Sequence, residues 1–137
     1  MEQILERPIL TTKPLDGLNI LILEDEFLIA MDVEQLCRDH GAGEVTISRS
    51  LQELGPEPVE TFQFDAAVVD MRLDGVSTIE FARNLFERRI PFVFATGYAD
   101  PHETSEAFPG VTVVVKPYLG SDLVDALADA VKRRASA

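Results

Sequence analysis

Five polar residues of this chain stand directly after runs of apolar residues and carry side chains that suit phosphoryl chemistry. They are Glu24, Asp25, Asp70, Thr96 and Lys116. Three carboxylates that lie close together repel one another and require a compensating cation. Ligands that are all oxygen, without histidine or cysteine, favour a hard divalent cation, which in a cell is Mg²⁺. An aspartate is also a nucleophile toward phosphorus, and an ammonium and a hydroxyl suit the phosphoryl oxygens.

Each of these residues also has an ordinary structural interpretation when it is considered alone. Asp25 suits a helix N-cap, and Asp70 suits a turn. Thr96 suits the end of a strand, and Lys116 suits a solvated surface. What favours one shared site is that all the strand ends carry polar groups of the right chemical types.

The apolar runs before these residues are typical of parallel strands that are buried on both faces of a sheet. They cover residues 19–23, 66–69, 91–95 and 111–115, and a shorter strand is expected at 44–47. We therefore predict an α/β fold, a doubly wound five-stranded parallel sheet in three α/β/α layers. The flavodoxin-like strand order 2-1-3-4-5 makes strands 1 and 3 neighbours, so Glu24, Asp25 and Asp70 should meet beyond their carboxyl ends.

Apolar periodicity and capping residues predict the helices between the strands. They are expected at 26–39, at 50–54 as a short element, and from 121 onward. Ser77 and Glu80 have the spacing of a capping box, which predicts a helix to about residue 88. The segment 100–110 has two prolines and no clear period, so we expect a short or mobile element there. Several aromatic residues are predicted to be core, namely Phe62, Phe64, Phe81, Phe86, Phe92 and Phe94.

Length and charge exclude several classes of protein. With 137 residues the chain suits one domain, which we place at 17–137 after an N-terminal extension at 1–16. A formal charge of −12 disfavours nucleic-acid binding, and the cations at 132–134 suit the dipole of a helix C-terminus. The lone Cys37 allows no disulfide within the chain, and no apolar stretch suggests a membrane span. We expect a cytoplasmic protein.

The polar residues at the strand ends, in this order and spacing, resemble the response-regulator receiver domain. The likeness runs from about Leu18 to the last helix and includes Lys116-Pro117. Phe94 to Tyr98 reads Phe-Ala-Thr-Gly-Tyr, which is similar to the signature of the FATGUY group of receivers.

The resemblance implies a role for each of these residues. Asp70 would be the phosphoacceptor, and Thr96 and Lys116 would contact the phosphoryl group. Mg²⁺ would be bound by Glu24, Asp25, Asp70 and the backbone carbonyl of Arg72. The implied switch comprises Thr96, Gly97, Tyr98 and Pro117, with a cis peptide before Pro117.

The chain departs from the receiver pattern in three places. The Met-Pro pair that usually follows the phosphoacceptor is absent, because Met71 is followed by Arg72. Val113 occupies the position of the usual aromatic switch residue, which leaves Tyr98 either as its replacement or as a packing residue. Glu24 replaces the commoner aspartate.

The function that the sequence predicts is that of a single-domain response regulator, which is a phosphoacceptor and not an enzyme. Its donor would be a histidine kinase, by resemblance of the HWE or a related class, or a histidine phosphotransfer protein. A small Mg²⁺-dependent phosphatase is the alternative, although such enzymes carry the nucleophile after strand 1 with a second acid two residues later, where this chain has Phe27. An FMN binder is disfavoured because Glu24-Asp25-Glu26 would repel the phosphate.

Overall fold

Five parallel strands form the central sheet of the computed structural model, which describes residues 13–54, 63–97, 107–116 and 120–136. The sheet contains β1 (Asn19–Leu23), β2 (Glu44–Ser48), β3 (Ala66–Asp70), β6 (Phe92–Thr96) and β7 (Val113–Val115). Their spatial order is β2-β1-β3-β6-β7. The predicted fold class and strand order are therefore confirmed.

A two-stranded antiparallel hairpin and four helices complete the described elements. The hairpin consists of β4 (Arg72–Leu73) and β5 (Val76–Ser77). The helices are α1 (Phe27–Asp39), α2 (Leu51–Leu54), α3 (Ile79–Glu87) and α4 (Gly120–Ser136). Among the described residues no helix has the length and apolarity needed to cross a membrane.

The sheet separates two apolar cores because successive strand residues point to opposite faces. On one face Ile20 and Val68 pack with residues of α1 and α4, such as Val33 and Leu127. On the other face the core includes residues of α2 and α3 and the phenylalanines of β6. Burial on both faces explains why the strands read as continuous apolar runs.

Leu15 lies in the predicted N-terminal extension, yet its side chain is completely buried in the first of these cores. Its amide donates a hydrogen bond to the carbonyl of His40 at 2.9 Å. The residues just before β1 therefore pack with the folded domain, and residues 1–12 lie outside the described part.

The aromatic core differs from the prediction at two positions. Phe86 is 39% exposed, because it lies beside the buried stripe of α3 that includes Phe81 and Leu85. Phe108, in the segment without clear period, is fully buried and forms an edge contact with the ring of Phe94 at 5.4 Å. Residues 100–106 of the segment predicted at 100–110, and Phe62, lie outside the described residues.

The predicted capping box between Ser77 and Glu80 is wrong in its detail. Helix α3 begins at Ile79, and Ser77 Oγ accepts a hydrogen bond of 3.3 Å from the Ile79 amide. Among the described residues, the Ser77 amide donates no hydrogen bond to the Glu80 carboxylate. The reason is that β5 includes Ser77, so the helix starts one residue later and Thr78 becomes its N-cap.

Candidate phosphoryl-acceptor and cation site

The carboxyl edge of the sheet brings three acidic side chains together. Glu24 and Asp25 follow β1, and Asp70 ends β3, which pairs directly with β1. Each carboxylate offers an oxygen, and these oxygens lie within 4.8 Å of one another. Glu24 and Asp70 are buried, with 3% and 8% exposure. The predicted convergence of these residues is therefore what the structure shows.

Lys116 neutralises part of this acidic charge. Its Nζ lies 2.5 Å from Glu24 Oε1 and 2.9 Å from Asp70 Oδ2. The residue reaches the site because β7 ends at Val115, beside Thr96 of β6. The Lys116 amide also donates to the Thr96 carbonyl at 2.6 Å, which fixes the backbone at the ammonium. One ammonium faces two buried carboxylates, so the cluster keeps an excess of negative charge.

Burial and hydrogen bonding shift the pKa values of Glu24 and Lys116 in opposite directions. Desolvation raises the pKa of Glu24 above its ordinary value, although the Lys116 hydrogen bond opposes the shift. Desolvation alone would lower the pKa of Lys116, but hydrogen bonds to Glu24 and Asp70 outweigh it and raise that pKa. The ammonium is therefore the stable form of Lys116 in this site.

The β4–β5 hairpin closes one side of the site. Its two turn residues, Asp74 and Gly75, both have positive φ, 54° and 78°, as a two-residue type I′ turn requires. The Asp74 amide donates to Asp25 Oδ2 at 2.9 Å. The hairpin after β3 is thereby joined to the end of β1.

Thr78 fixes the backbone of the central aspartate. It is completely buried, and its hydroxyl donates to the Asp70 carbonyl at 2.6 Å. Its amide donates to the Met71 carbonyl at 3.1 Å. We did not identify Thr78 from the sequence, because a threonine beside a capping serine reads as part of the helix start.

A cavity of about 510 Å³ opens over the acidic cluster. Its lining includes the side chains of Thr96, which is 4% exposed, and Arg72, which is exposed. Gly97, one of the predicted switch residues, also lines the cavity, and its φ is not positive. Tyr98 and Pro117, the other predicted switch residues, lie outside the described part.

The donor set fits a hard divalent cation. The ligand atoms available are carboxylate oxygens, and they carry more negative charge than Lys116 balances. Asp25 is half-buried, so its side chain borders the cavity as well as the cluster. Oxygen ligands at the rim of an open cavity match the preference of Mg²⁺, which keeps several waters when it binds.

Comparisons in sequence identify regulatory proteins as relatives. The chain is 32% identical over 117 residues to the transcriptional regulatory protein PdtaR of Mycobacterium tuberculosis, covering 83% of this chain and 57% of that protein. It is 31% identical over 101 residues to the phyllosphere-induced regulator PhyR of Methylorubrum extorquens, covering 72% and 38%. The chain therefore spans only part of the length of these curated relatives. No family model matches it.

Comparison of structures identifies the fold. A response regulator receiver protein from Sinorhizobium medicae superposes with a TM-score of 0.76 at 25% identity, covering 88% of this chain and 98% of that one. The fold is therefore that of CheY-like receiver domains, and the chain's relatives are response regulators.

Proposed function

We propose that this chain acts as the receiver domain of a response regulator and accepts a phosphoryl group on Asp70. The observation that carries the proposal is the buried Asp70 carboxylate, bound by Lys116 Nζ at 2.9 Å and accompanied by Glu24 and Asp25. The relatives and the receiver fold support it.

In the proposed reaction an Asp70 oxygen forms a bond to phosphorus while the P–N bond of a phosphohistidine breaks. The electron pair of that bond leaves with the imidazole, and the product is an acyl phosphate. Lys116 is placed to pair with an oxygen of the product, and Thr96 to donate a hydrogen bond to another. When bound, Mg²⁺ would neutralise phosphoryl oxygens; its proposed ligands are Glu24, Asp25, Asp70 and the backbone carbonyl of Arg72.

The proposed protein is a phosphoacceptor and not an enzyme that turns over substrate. The rival, a Mg²⁺-dependent phosphatase, places its nucleophile after the first strand. Here the candidate nucleophile Asp70 is the last residue of β3; its carboxylate accepts a hydrogen bond from Lys116, and its backbone carbonyl accepts one from the Thr78 hydroxyl. This position favours the receiver function.

The proposed phosphodonor is a histidine kinase, of the HWE or a related class, or a histidine phosphotransfer protein. Helix α1 begins two residues after Asp25 and exposes three apolar side chains, Phe27, Leu28 and Met31, to 60%, 75% and 47%. An exposed apolar patch of this kind marks an interaction surface. Its position beside the acidic cluster suits the approach of a donor protein.

We also infer that the output passes through the residues after β6, as in the FATGUY group of receivers. The support is the sequence from Phe94 to Tyr98 together with Val113, which replaces the usual aromatic switch residue. Thr96 would turn toward the phosphoryl group, and Gly97, Tyr98 and Pro117 would follow.

Mass spectrometry after incubation with acetyl phosphate and Mg²⁺ tests the phosphoacceptor role. The wild-type chain should gain one phosphoryl group, and Asp70→Asn should gain none because the nucleophilic oxygen pair is lost. Asp25→Asn should require more Mg²⁺ for the same labelling. The matched control Asp129→Asn removes a surface carboxylate on α4 and should label normally.

Full labelling of Asp70→Asn would overturn the assignment. Steady release of phosphate from many phosphomonoesters, without a labelled protein, would instead establish the phosphatase.

A further inference from the structure

A second cleft lies at the opposite edge of the sheet, where β6 and β7 begin. Its volume is about 490 Å³. The apolar lining comes mainly from the residues that lead into the two strands, including Ile90, Pro91, Pro109 and Val111, and from Phe86 of α3. Three arginines border it: Arg89 after α3, and Arg133 and Arg134 in the last turn of α4.

None of the three guanidinium groups forms an ion pair with a carboxylate of the described residues, and all three side chains are exposed. The chain has 24 acidic and only 12 basic residues. The rim of this apolar cleft is therefore positively charged, whereas the molecule as a whole is negatively charged.

Arg89 has a backbone conformation that glycine would adopt at lower cost. Its φ is 59°, and it ends α3 in a left-handed turn. The Arg89 amide donates to the Phe86 carbonyl at 3.2 Å, and the Ile90 amide donates to the Leu85 carbonyl at 2.9 Å. Such a position favours glycine, and another residue costs about 1 kcal/mol there. The backbone hydrogen bonds of the turn do not involve the arginine side chain, which leaves the guanidinium available to a ligand.

Interaction with helix dipoles accounts for only part of this arrangement. Arg133 and Arg134 suit the C-terminus of α4, as the sequence predicts. The last carbonyls of α3, however, already accept backbone amides from residues 88–90. The helix dipoles explain neither why an arginine occupies the left-handed position at residue 89 nor why the three arginines surround one apolar cleft.

We propose that this cleft binds a small organic anion, a carboxylate or phosphate attached to an apolar or aromatic group. Guanidinium groups bind both kinds of anion through paired hydrogen bonds. The volume is in the range of ligand pockets, about 300–1,000 Å³. A small anion suits the cleft better than an acidic protein, because the chain as a whole has a net charge of −12 and repels an acidic protein within a screening length of about 8 Å.

The test uses two aromatic anions, naphthoate and naphthyl phosphate, with uncharged naphthol for comparison, all without Mg²⁺. Binding is followed through the amide NMR signals of Gly110 and Val111, which line the cleft. Both anions should shift these signals. Naphthol should bind with an affinity at least about tenfold lower, since it lacks the charge-assisted hydrogen bonds.

Arg89→Gly separates a ligand role from a structural one. It should weaken anion binding about tenfold while the melting temperature stays the same or rises, because the left-handed turn is relieved. Arg133→Ala should also weaken binding. Arg49→Ala removes one exposed cation on another part of the surface and should leave the affinity unchanged.

Equal binding of the anions by wild type and Arg89→Gly would overturn the proposal, as would equal binding of naphthol. An acidic peptide with one phenylalanine that bound more tightly than both anions would also overturn it, because the cleft would then be a protein-docking surface. None of these measurements depends on Asp70 accepting phosphate, so the proposal stands or fails independently of the receiver function.

Discussion

At the residue scale the site depends on groups that hold Asp70 as much as on Asp70 itself. Lys116 binds its carboxylate, and Thr78 binds its backbone carbonyl at 2.6 Å. Because this hydroxyl is completely buried, a water molecule cannot take its place as the donor to the Asp70 carbonyl. Thr78 is therefore a positioning residue for the proposed phosphoacceptor.

Replacement of Thr78 should affect phosphorylation through this hydrogen bond. Thr78→Val keeps the shape but leaves the Asp70 carbonyl without its donor, so we expect unfolding free energy to fall by about 1–3 kcal/mol and labelling by acetyl phosphate to slow. Thr78→Ser restores the hydroxyl and should restore the labelling rate. The measurement is the labelling rate at a temperature where all three proteins are folded. A serine variant as slow as the valine variant would show that packing of the methyl group matters and the hydroxyl does not.

At the element scale two segments adjoin the acidic cluster with different functions. The β4–β5 hairpin is tied to Asp25 through the Asp74 amide and closes the site. Helix α1 instead presents Phe27, Leu28 and Met31 to solvent immediately after the cluster. A buried stripe with Ala30, Val33 and Cys37 holds the other face of α1 on the sheet. The exposed face is thus free for a partner without loss of the fold.

A charge on the exposed face of α1 should distinguish small donors from protein donors. In Leu28→Glu, labelling by acetyl phosphate should remain within about twofold, because surface substitutions of this kind change the fold little. Labelling by a phosphorylated histidine phosphotransfer protein should fall about tenfold or more, as expected for an anchor in an interface. Gln52→Glu on α2 adds the same charge away from this face and is the control. Equal transfer to wild type and Leu28→Glu would exclude this face as the donor surface.

At the scale of the whole molecule, burial of one thiol in the core makes a contribution to how stability responds to pH. Cys37 is 1% exposed in the core between α1 and the sheet, and burial raises its thiol pKa to about 11. A raised pKa stabilises the folded state at pH values below the unfolded pKa. The stabilisation is lost as the pH rises from the unfolded pKa through the folded one, because between these two values the unfolded thiol releases its proton and the folded thiol keeps it.

We expect the unfolding free energy of the wild type to fall by about 2 kcal/mol more than that of Cys37→Ala between pH 8 and pH 11. The difference between the two proteins matters, since lysines and tyrosines titrate in both. Urea denaturation across this range measures it. Parallel curves for the two proteins would mean that the thiol is reached by solvent and ionises in the folded state.

The sequence by itself determined the sheet and the members of the site. Continuous β-branched apolar runs, separated by segments long enough for a helix, are typical of parallel strands that are covered on both faces, so the strands and their parallel order were predictable. Because parallel strands end at one edge, the residues after them had to converge, and Glu24, Asp70 and Lys116 do. The helix predicted at 26–39 from its period of about 3.6 residues is observed at Phe27–Asp39.

Only the tertiary structure decided which contacts these residues form. Thr78 caps no helix with its hydroxyl, because the unforeseen β4–β5 hairpin directs it to Asp70 instead. Phe108 is core although its segment lacks a pattern, since three neighbouring rings reach it from other elements. Arg89, just after α3, and Arg133, in α4, border the same cleft although they are far apart in sequence. Local periodicity indicates which side of a helix or strand is buried. Which residues distant in sequence come into contact depends on how the elements pack, and that packing is determined only in the complete fold.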